Sequence, residues 1–306
     1  MKQKLGIAAV VLALGALGVL GTASLGRTQA GAKISLGIYT PSIAFANSQD
    51  RFRYVQRLAK AIEQGTGTKV EAKAFTSLSA LKRQRADFAI IDAQCVAVNP
   101  RWNVLARAKV GGKTSQQWAL YSSQGGNMNA LRGKRLSFVR MGCQDENFVF
   151  NAMLDSEIGK GFFGGRNGKP DVPAAVAEVA SYKGAEAVFA PVGNQKGLTR
   201  VFTASAVPTP AFVQLNSSVS KSLSDKIQAA VVGYGGGGAI SGWAKADDSA
   251  YRALRAKMRT QVKRPVFAAP PPVRIDARDI LVDPKTLNQT ESTDIGQHFE
   301  RPADTL

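Results

Sequence analysis

Side chains able to carry out covalent or acid–base chemistry are scarce in this chain. A single histidine, His298, stands in a proline-rich tail, which all but removes histidine-based triads and multi-histidine metal sites. The two cysteines, Cys95 and Cys143, are the other reactive groups. Cys143 is followed closely by Asp145 and Glu146, and neighbouring carboxylates raise a thiol pKa rather than lower it, so a nucleophilic thiolate is disfavoured there. The tetraglycine Gly235–Gly238 lacks the Lys-Ser/Thr of a phosphate loop and follows a helical stretch instead of opening one; it reads as a flexible connector. The expectation is a protein that is not an enzyme, with no cofactor and no metal.

Binding is the chemistry that remains. The suitable side chains come in short polar groups, each just after an apolar run: Tyr39, Thr40 and Ser42; Thr76 and Ser77; Asp92, Gln94 and Cys95; and Cys143, Gln144, Asp145 and Asn147. Hydroxyl, amide and carboxylate groups are mixed, which suits a zwitterionic or cationic small molecule at least as well as a bare anion. Thr76 and Ser77 also read as a helix cap, and Pro41 as a turn former.

The elements that must position these groups are legible from periodicity. KISLGIY (Lys33–Tyr39) is a short apolar run closed by Thr40-Pro41-Ser42. From Asp50, Phe52, Val55, Leu58, Ala59 and Ile62 share one helical face, and Gly65 stands where a C-cap glycine belongs. Val70, Ala72 and Ala74 alternate with Lys69, Glu71 and Lys73 at strand period. Leu78 and Leu81 mark a second short helix, and Phe88–Ile91 a buried strand. Strand–helix–strand–helix–strand predicts a parallel sheet wrapped by helices, whose sites gather at the carboxyl ends of the strands.

A second round of the same logic follows. NVLARAKV and Gln117–Ser123 read as strands, then LSFV with an exit loop at Met141–Asp145, a helix from about Asp145, a helix over 174–183 and a strand over Ala185–Ala190. The Gly-rich, basic segment from Gly159 to Pro173 reads as a surface excursion. VFTAS and PAFVQLN form an extended return, followed by helices near 217–231 and 247–258. From about Arg264 prolines accumulate and periodicity fades.

At 306 residues the chain can bury one large core or two. Its net charge of +18 favours anionic partners, but the basic residues are dispersed with no aromatic-interleaved stripe, so no nucleic-acid partner is expected. Lys2 and Lys4 precede an uncharged apolar run, Leu5 to Leu20, with Ala30-Gly31-Ala32 as a cleavage signal. This is a secretory signal pattern, or an uncleaved anchor, and places the mature chain in the periplasm. Two cysteines in an exported chain are either a disulfide or two separate thiols.

Together, ISLGIYTPS, AIEQGTGTKVEAKAF, LKRQRADFAIID, LRGKRLSFV and GAEAVFAPVG resemble, in order and spacing, periplasmic substrate-binding proteins of the phosphonate/phosphite-binding (PhnD-like) type. The resemblance spans about Lys33 to Met258. It implies an α/β, two-lobed Venus-flytrap fold of the type 2 periplasmic-binding-protein class, each lobe a mainly parallel sheet flanked by helices. The implied division is a signal peptide over 1–32, lobe I over 33–110 plus 210–258, lobe II over 117–209, and a proline-rich extension over 259–306.

The implied function is capture of a small polar ligand between the lobes by a monomer, for an ABC importer or a sensor. The implied ligand residues are Tyr39, Thr40, Ser42, Thr76, Ser77, Asp92, Gln94, Cys143, Gln144, Asp145 and Asn147. Where the family places Ser/Thr after the second-lobe strand, this chain has Gly142-Cys143-Gln144-Asp145-Glu146-Asn147, and Gln84 replaces a family glycine, so phosphonate itself is not carried over. Cys95 and Cys143 would face each other across the cleft, where a bond requires Cα atoms within about 7 Å. The alternative is a non-transport envelope interaction or sensory protein with a vestigial cleft.

Overall fold

The computed structural model describes residues 33–193, 195 and 197–260. The signal segment, most of the proline-rich extension and His298 lie outside the described residues.

The chain builds two mixed sheets. The first holds β1 (Ile34–Tyr39), β2 (Val70–Ala74), β3 (Phe88–Ile91), β4 (Asn103–Lys109), β10 (Ala211–Gln214) and β11 (Gly242–Lys245), in the order β11-β4-β10-β3-β1-β2. Strands β2, β1 and β3 are parallel, whereas β10 runs antiparallel to both β3 and β4. The second holds β5 (Ser115–Ser122), β6 (Arg135–Val139), β7 (Gly165–Lys169), β8 (Ala187–Pro191) and β9 (Thr199–Pro208), in the order β7-β6-β8-β5-β9. The fold is therefore two-lobed, with the chain leaving the first lobe after β4 and returning at β10.

Helix α1 (Ser48–Thr66) starts at Asn47, whose side chain accepts from the Asp50 N–H, and buries Tyr54, Val55, Leu58, Ala59 and Ile62. It ends at Gly67 (φ 70°), not at Gly65 as the sequence suggests. Gly65 serves a different purpose: a Cβ there would sit 2.9 Å from the Cβ of Ala230 on α6 (Lys221–Gly233), so its absence lets the two helices approach. Helix α2 (Leu78–Arg83) is capped by Ser77, which accepts from the Ala80 N–H at 3.2 Å. Helix α3 (Ala93–Val98) occupies a stretch read from sequence only as a strand exit and loop. Helix α4 (Asp145–Asn147) runs on into a π-helical turn, Phe148–Met153. Helix α5 (Val172–Ala180) precedes β8, and α7 (Ser249–Arg259) follows β11.

Two sequence expectations are corrected. The segment 159–173 is not a surface excursion: Phe162 and Phe163 are buried, and Gly165–Lys169 pairs parallel with β6 as an edge strand. The tetraglycine is not a slack connector. Gly237 bridges Ile240, and at Gly236 (φ 78°) a Cβ would lie 2.4 Å from the Gly242 nitrogen, so position 236 accepts only glycine while the turn feeds β11 onto the sheet edge.

One core packs α1 and α6 on the first sheet around Leu36, Ile38, Leu58, Ile90 and Phe212. The other does not stop at the lobe boundary: it runs from Ile91, Ala93 and Val96 through Trp118 and Leu120 to Phe150 and Phe189. The two crossovers are also stitched together. Thr209 is 1 % exposed and its hydroxyl lies 2.5 Å from the Ala108 carbonyl and 3.0 Å from that of Thr114; its N–H donates to the same Thr114 carbonyl. Tyr251 of α7 donates to the Thr209 carbonyl at 3.0 Å.

This buried hydroxyl predicts a measurable loss. Thr209→Val keeps the shape but removes the one hydroxyl proton shared by the two crossover carbonyls, leaving Thr114 with only the Thr209 N–H and Ala108 without this donor, and should lower unfolding stability by about 1–3 kcal/mol in urea titrations. An unchanged midpoint would show that the crossovers do not depend on it.

Candidate ligand-binding site at the lobe junction

The downstream tips of β1, β3 and β6 meet at one seam. After β3, Asp92 opens α3, and three residues on Cys95 forms a disulfide with Cys143 of the β6 exit loop, Cα–Cα 5.1 Å. The bond joins the lobes covalently, and both half-cystines are at most 3 % exposed. Gln94 donates from Nε2 to the Cys143 carbonyl and to Asp145 Oδ1, each at 2.7 Å. The Tyr39 hydroxyl donates to the Met141 carbonyl at 3.1 Å, and the Val172 N–H to the Pro41 carbonyl at 3.2 Å.

Asp145 organises its own loop. Its carboxylate accepts from the backbone N–H groups of Met141 (3.1 Å) and Gly142 (3.0 Å) as well as from Gln94. The loop can curl around it because Gly142 (φ 72°) and Gln144 (φ 59°) take left-handed conformations. A carboxylate of the chain thus fills the amide cluster at the start of the helix.

Asp92 is buried on the other side of the disulfide. It accepts from the Ser42 N–H at 2.9 Å and, through its second oxygen, from the Ser42 hydroxyl. Removal from water pushes its carboxyl up to about 7, against the opposing pull of the Ser42 hydrogen bonds and the Arg51 charge. Burial also raises the Tyr39 phenol well above its ordinary value, and the negative charges of Asp92 and Asp145 add to the effect. Thr40 Oγ1 and Gln94 Oε1 have no hydrogen-bond partner within the described protein.

The open space lies beside this sealed patch. A cavity of about 600 Å³ sits between the lobes, lined by Tyr39, Thr76, Ser77 and Lys82 from the first and by Arg140, Met141 and Gly168–Pro170 at the end of β7 from the second. Lys169 pairs with Glu178 at 2.8 Å, and the Arg140 guanidinium donates to the Gly168 carbonyl at 3.0 Å. The rim is cationic, and no carboxylate lines it.

The predicted residues therefore divide. Tyr39, Thr76 and Ser77 line the cavity. Thr40, Ser42, Asp92, Gln94 and Cys143 are buried in the seam, 8 % exposed or less. Asp145 is half-buried within its loop, and Gln144 and Asn147 lie beside it, linked at 3.4 Å. Sequence reasoning missed Lys82, Arg140 and Lys169. Arg140 directly follows the predicted strand and was within reach; Lys169 depends on β7, whose GRNGK sequence carries no strand pattern. Among the described residues no cluster of His, Cys, Asp and Glu could hold a metal, and no helix is long and apolar enough to cross a membrane.

No protein-family model and no curated protein matches the chain. Solved structures do. A Xanthomonas citri protein bound to ATP is similar at TM-score 0.58 and 11% identity, over 74% of this chain and 97% of that one. PhnD1 from Prochlorococcus marinus in complex with methylphosphonate is similar at 0.57 and 12%, over 74% and 97%. A binding-protein component of an ABC phosphonate transporter from Pseudomonas aeruginosa is similar at 0.56 and 12%, over 73% and 84%. At these identities the likeness establishes the two-lobed periplasmic-binding-protein fold.

Two outcomes follow from the seam. The disulfide closes a loop with sequence separation 48, for which the chain-entropy model gives about 4 kcal/mol. A Cys95→Ser/Cys143→Ser double variant should lose about 2–4 kcal/mol of unfolding stability, and a difference below about 1 kcal/mol would refute the seam's structural role. The folded state holds a proton on Asp92 up to about pH 7, while the unfolded carboxyl releases it near 3.8. Unfolding stability from Asp92 should accordingly fall as pH rises from about 4 to about 7 and level off above. Asp92→Asn should flatten that slope; identical slopes in both proteins would rule the carboxyl out as its source.

Proposed function

We propose that the protein is an exported solute-binding protein that holds a small polar ligand in the inter-lobe cavity, for delivery to an ABC importer or presentation to a sensor. The observation that carries this reading is the cavity itself, whose walls come from strand exits of both lobes. Its size matches that of small-molecule sites, about 300–1,000 Å³. The hydroxyls of Thr76 and Ser77 offer orienting hydrogen bonds, while Arg140 and Lys82 favour a ligand with a negatively charged group. The two-lobed fold and its likeness to binding proteins support the reading, as does the signal-like N-terminus.

The ligand would not be caught by the usual swing of two free lobes. With the Cys95–Cys143 bond and a shared core in place, the site is formed before the ligand arrives. The same sealed seam favours one other reading: a sensory or envelope interaction protein that reports or docks without transport. The two differ in whether a solute stabilises the protein.

Thermal unfolding with small polar solutes, including methylphosphonate, a sulfonate, phosphate and arginine, tests this. A true ligand at a hundred times its Kd should add about 2.7 kcal/mol of stability. Arg140→Ala should weaken binding of that ligand about tenfold while leaving the unliganded melting temperature within a degree or two. If no solute shifts the transition, and native mass spectrometry of the purified protein shows no bound molecule, the interaction reading replaces the receptor.

A further inference from the structure

We propose that the ligand is an elongated organic anion, with its charged group in the inter-lobe cavity and an apolar or aromatic extension lying over Trp102. This deepens the reading above and rests on the cavity being the ligand site.

Helix α2 separates two hollows. At its N-terminal end is the inter-lobe cavity; at its C-terminal end is a second, of about 530 Å³, lined by Leu81, Ala86, Leu215, Trp102, Arg85 and Lys82. Lys82 lines both. The second hollow combines an apolar wall with an indole ring that is only half-buried, whereas Trp118 and Trp243 are each 3 % exposed. An indole left partly in water beside Leu81 and Leu215 offers area for an apolar group to cover.

Charge along this path has one sign. Lys82 Nζ lies 5.5 Å from the centroid of the Trp102 ring, and neither it, Arg85 nor Arg140 has a carboxylate partner among the described residues. The nearby Asp87 is already committed, accepting from the Ser35 N–H (2.9 Å), the Ser35 hydroxyl (2.8 Å) and Asn216 (2.7 Å). A neutral apolar ligand would gain nothing from these solvent-exposed cations; a small inorganic anion would leave the Trp102 hollow empty. A molecule with both features uses both. From Ser77 to Lys82 the helix rises about 7–8 Å, so the two parts need a linker of a few bonds.

Three compounds and the full-length protein test this by calorimetry: methylphosphonate (charged group alone), 4-phenylbutylphosphonate (charged group, linker and ring) and 4-phenylbutanol (ring without charge). The phenylbutyl phosphonate should bind at least about tenfold more tightly than methylphosphonate, and 4-phenylbutanol should not bind measurably. Trp102→Ala should reduce that preference, measured as the ratio of the two phosphonate affinities in each protein, to about twofold or less, and Trp102→Phe should retain most of it. Iodide quenching of wild-type tryptophan emission needs no variant. The bound ring should protect the accessible indole, and methylphosphonate should not.

Equal affinity for the two phosphonates, or a preference that survives Trp102→Ala, would overturn the extended-ligand inference and leave the cavity reading standing. Failure of both phosphonates to bind would also overturn it. The cavity reading would then depend on the wider solute screen alone.

Discussion

The structure depends on one join, where the tips of strands from two lobes are bonded together instead of facing each other across water. The Cys95–Cys143 bond supplies the covalent part, and Gln94 and Tyr39 supply hydrogen bonds to the carbonyls of the opposite loop. Close to these tips, two residues before Ala211, which pairs with Ile91 at the end of β3, Thr209 fastens the crossovers to each other. A two-lobed scaffold normally gains its mobility from crossovers that bend freely. Here the crossovers are tied to each other and the strand tips are tied as well. A side-chain core then fills the space between, and that dry setting is what keeps a proton on Asp92 well above the usual carboxylate range.

The join also sorts charge. Asp145 answers the amide hydrogens of its own loop, and Asp92 is turned inward onto Ser42, so both acids at the junction are consumed by the protein. The cations are not. Lys82 and Arg140 remain on the rim of the open cavity, and the outcome is an electropositive mouth above a neutralised interior. Such an arrangement favours anionic molecules on approach as well as on contact. It also leaves the cations outside the buried seam, on side chains that can change without disturbing the core.

Much of this was legible from residue order, and the failures have physical reasons. Phe88–Ile91 and the alternation around Val70 to Ala74 are short patterns set by burial on a sheet, and they were readable as such. The polar groups at Tyr39–Ser42, Thr76–Ser77 and Asp92–Gln94 do converge, because strand tips in such sheets must. What the sequence could not show was which of them would be sealed in, since that depends on how closely the two lobes meet. β7 escaped notice because GRNGK takes its place through backbone pairing with β6 alone, without an apolar side to mark it. α3 was hidden for the opposite reason: Ala93–Ala97 is buried on every side and has no amphipathic rhythm. The tetraglycine misled because glycine signals either looseness or a strictly demanded turn, and only the neighbouring backbone decides.

The position of β10 has a consequence for how the molecule is assembled. It lies between β3 and β4, hydrogen-bonded to both, yet it is made only after the whole of the second lobe. A chain emerging from its N-terminus must therefore carry the apolar Phe88–Ile91 edge unpaired while everything from Ser115 to Pro208 is synthesised. Unsatisfied edges of this kind invite pairing with other chains. The first lobe to be translated is thus the last to be completed, and a protein truncated before Ala211 would lack the strand that holds its leading sheet together.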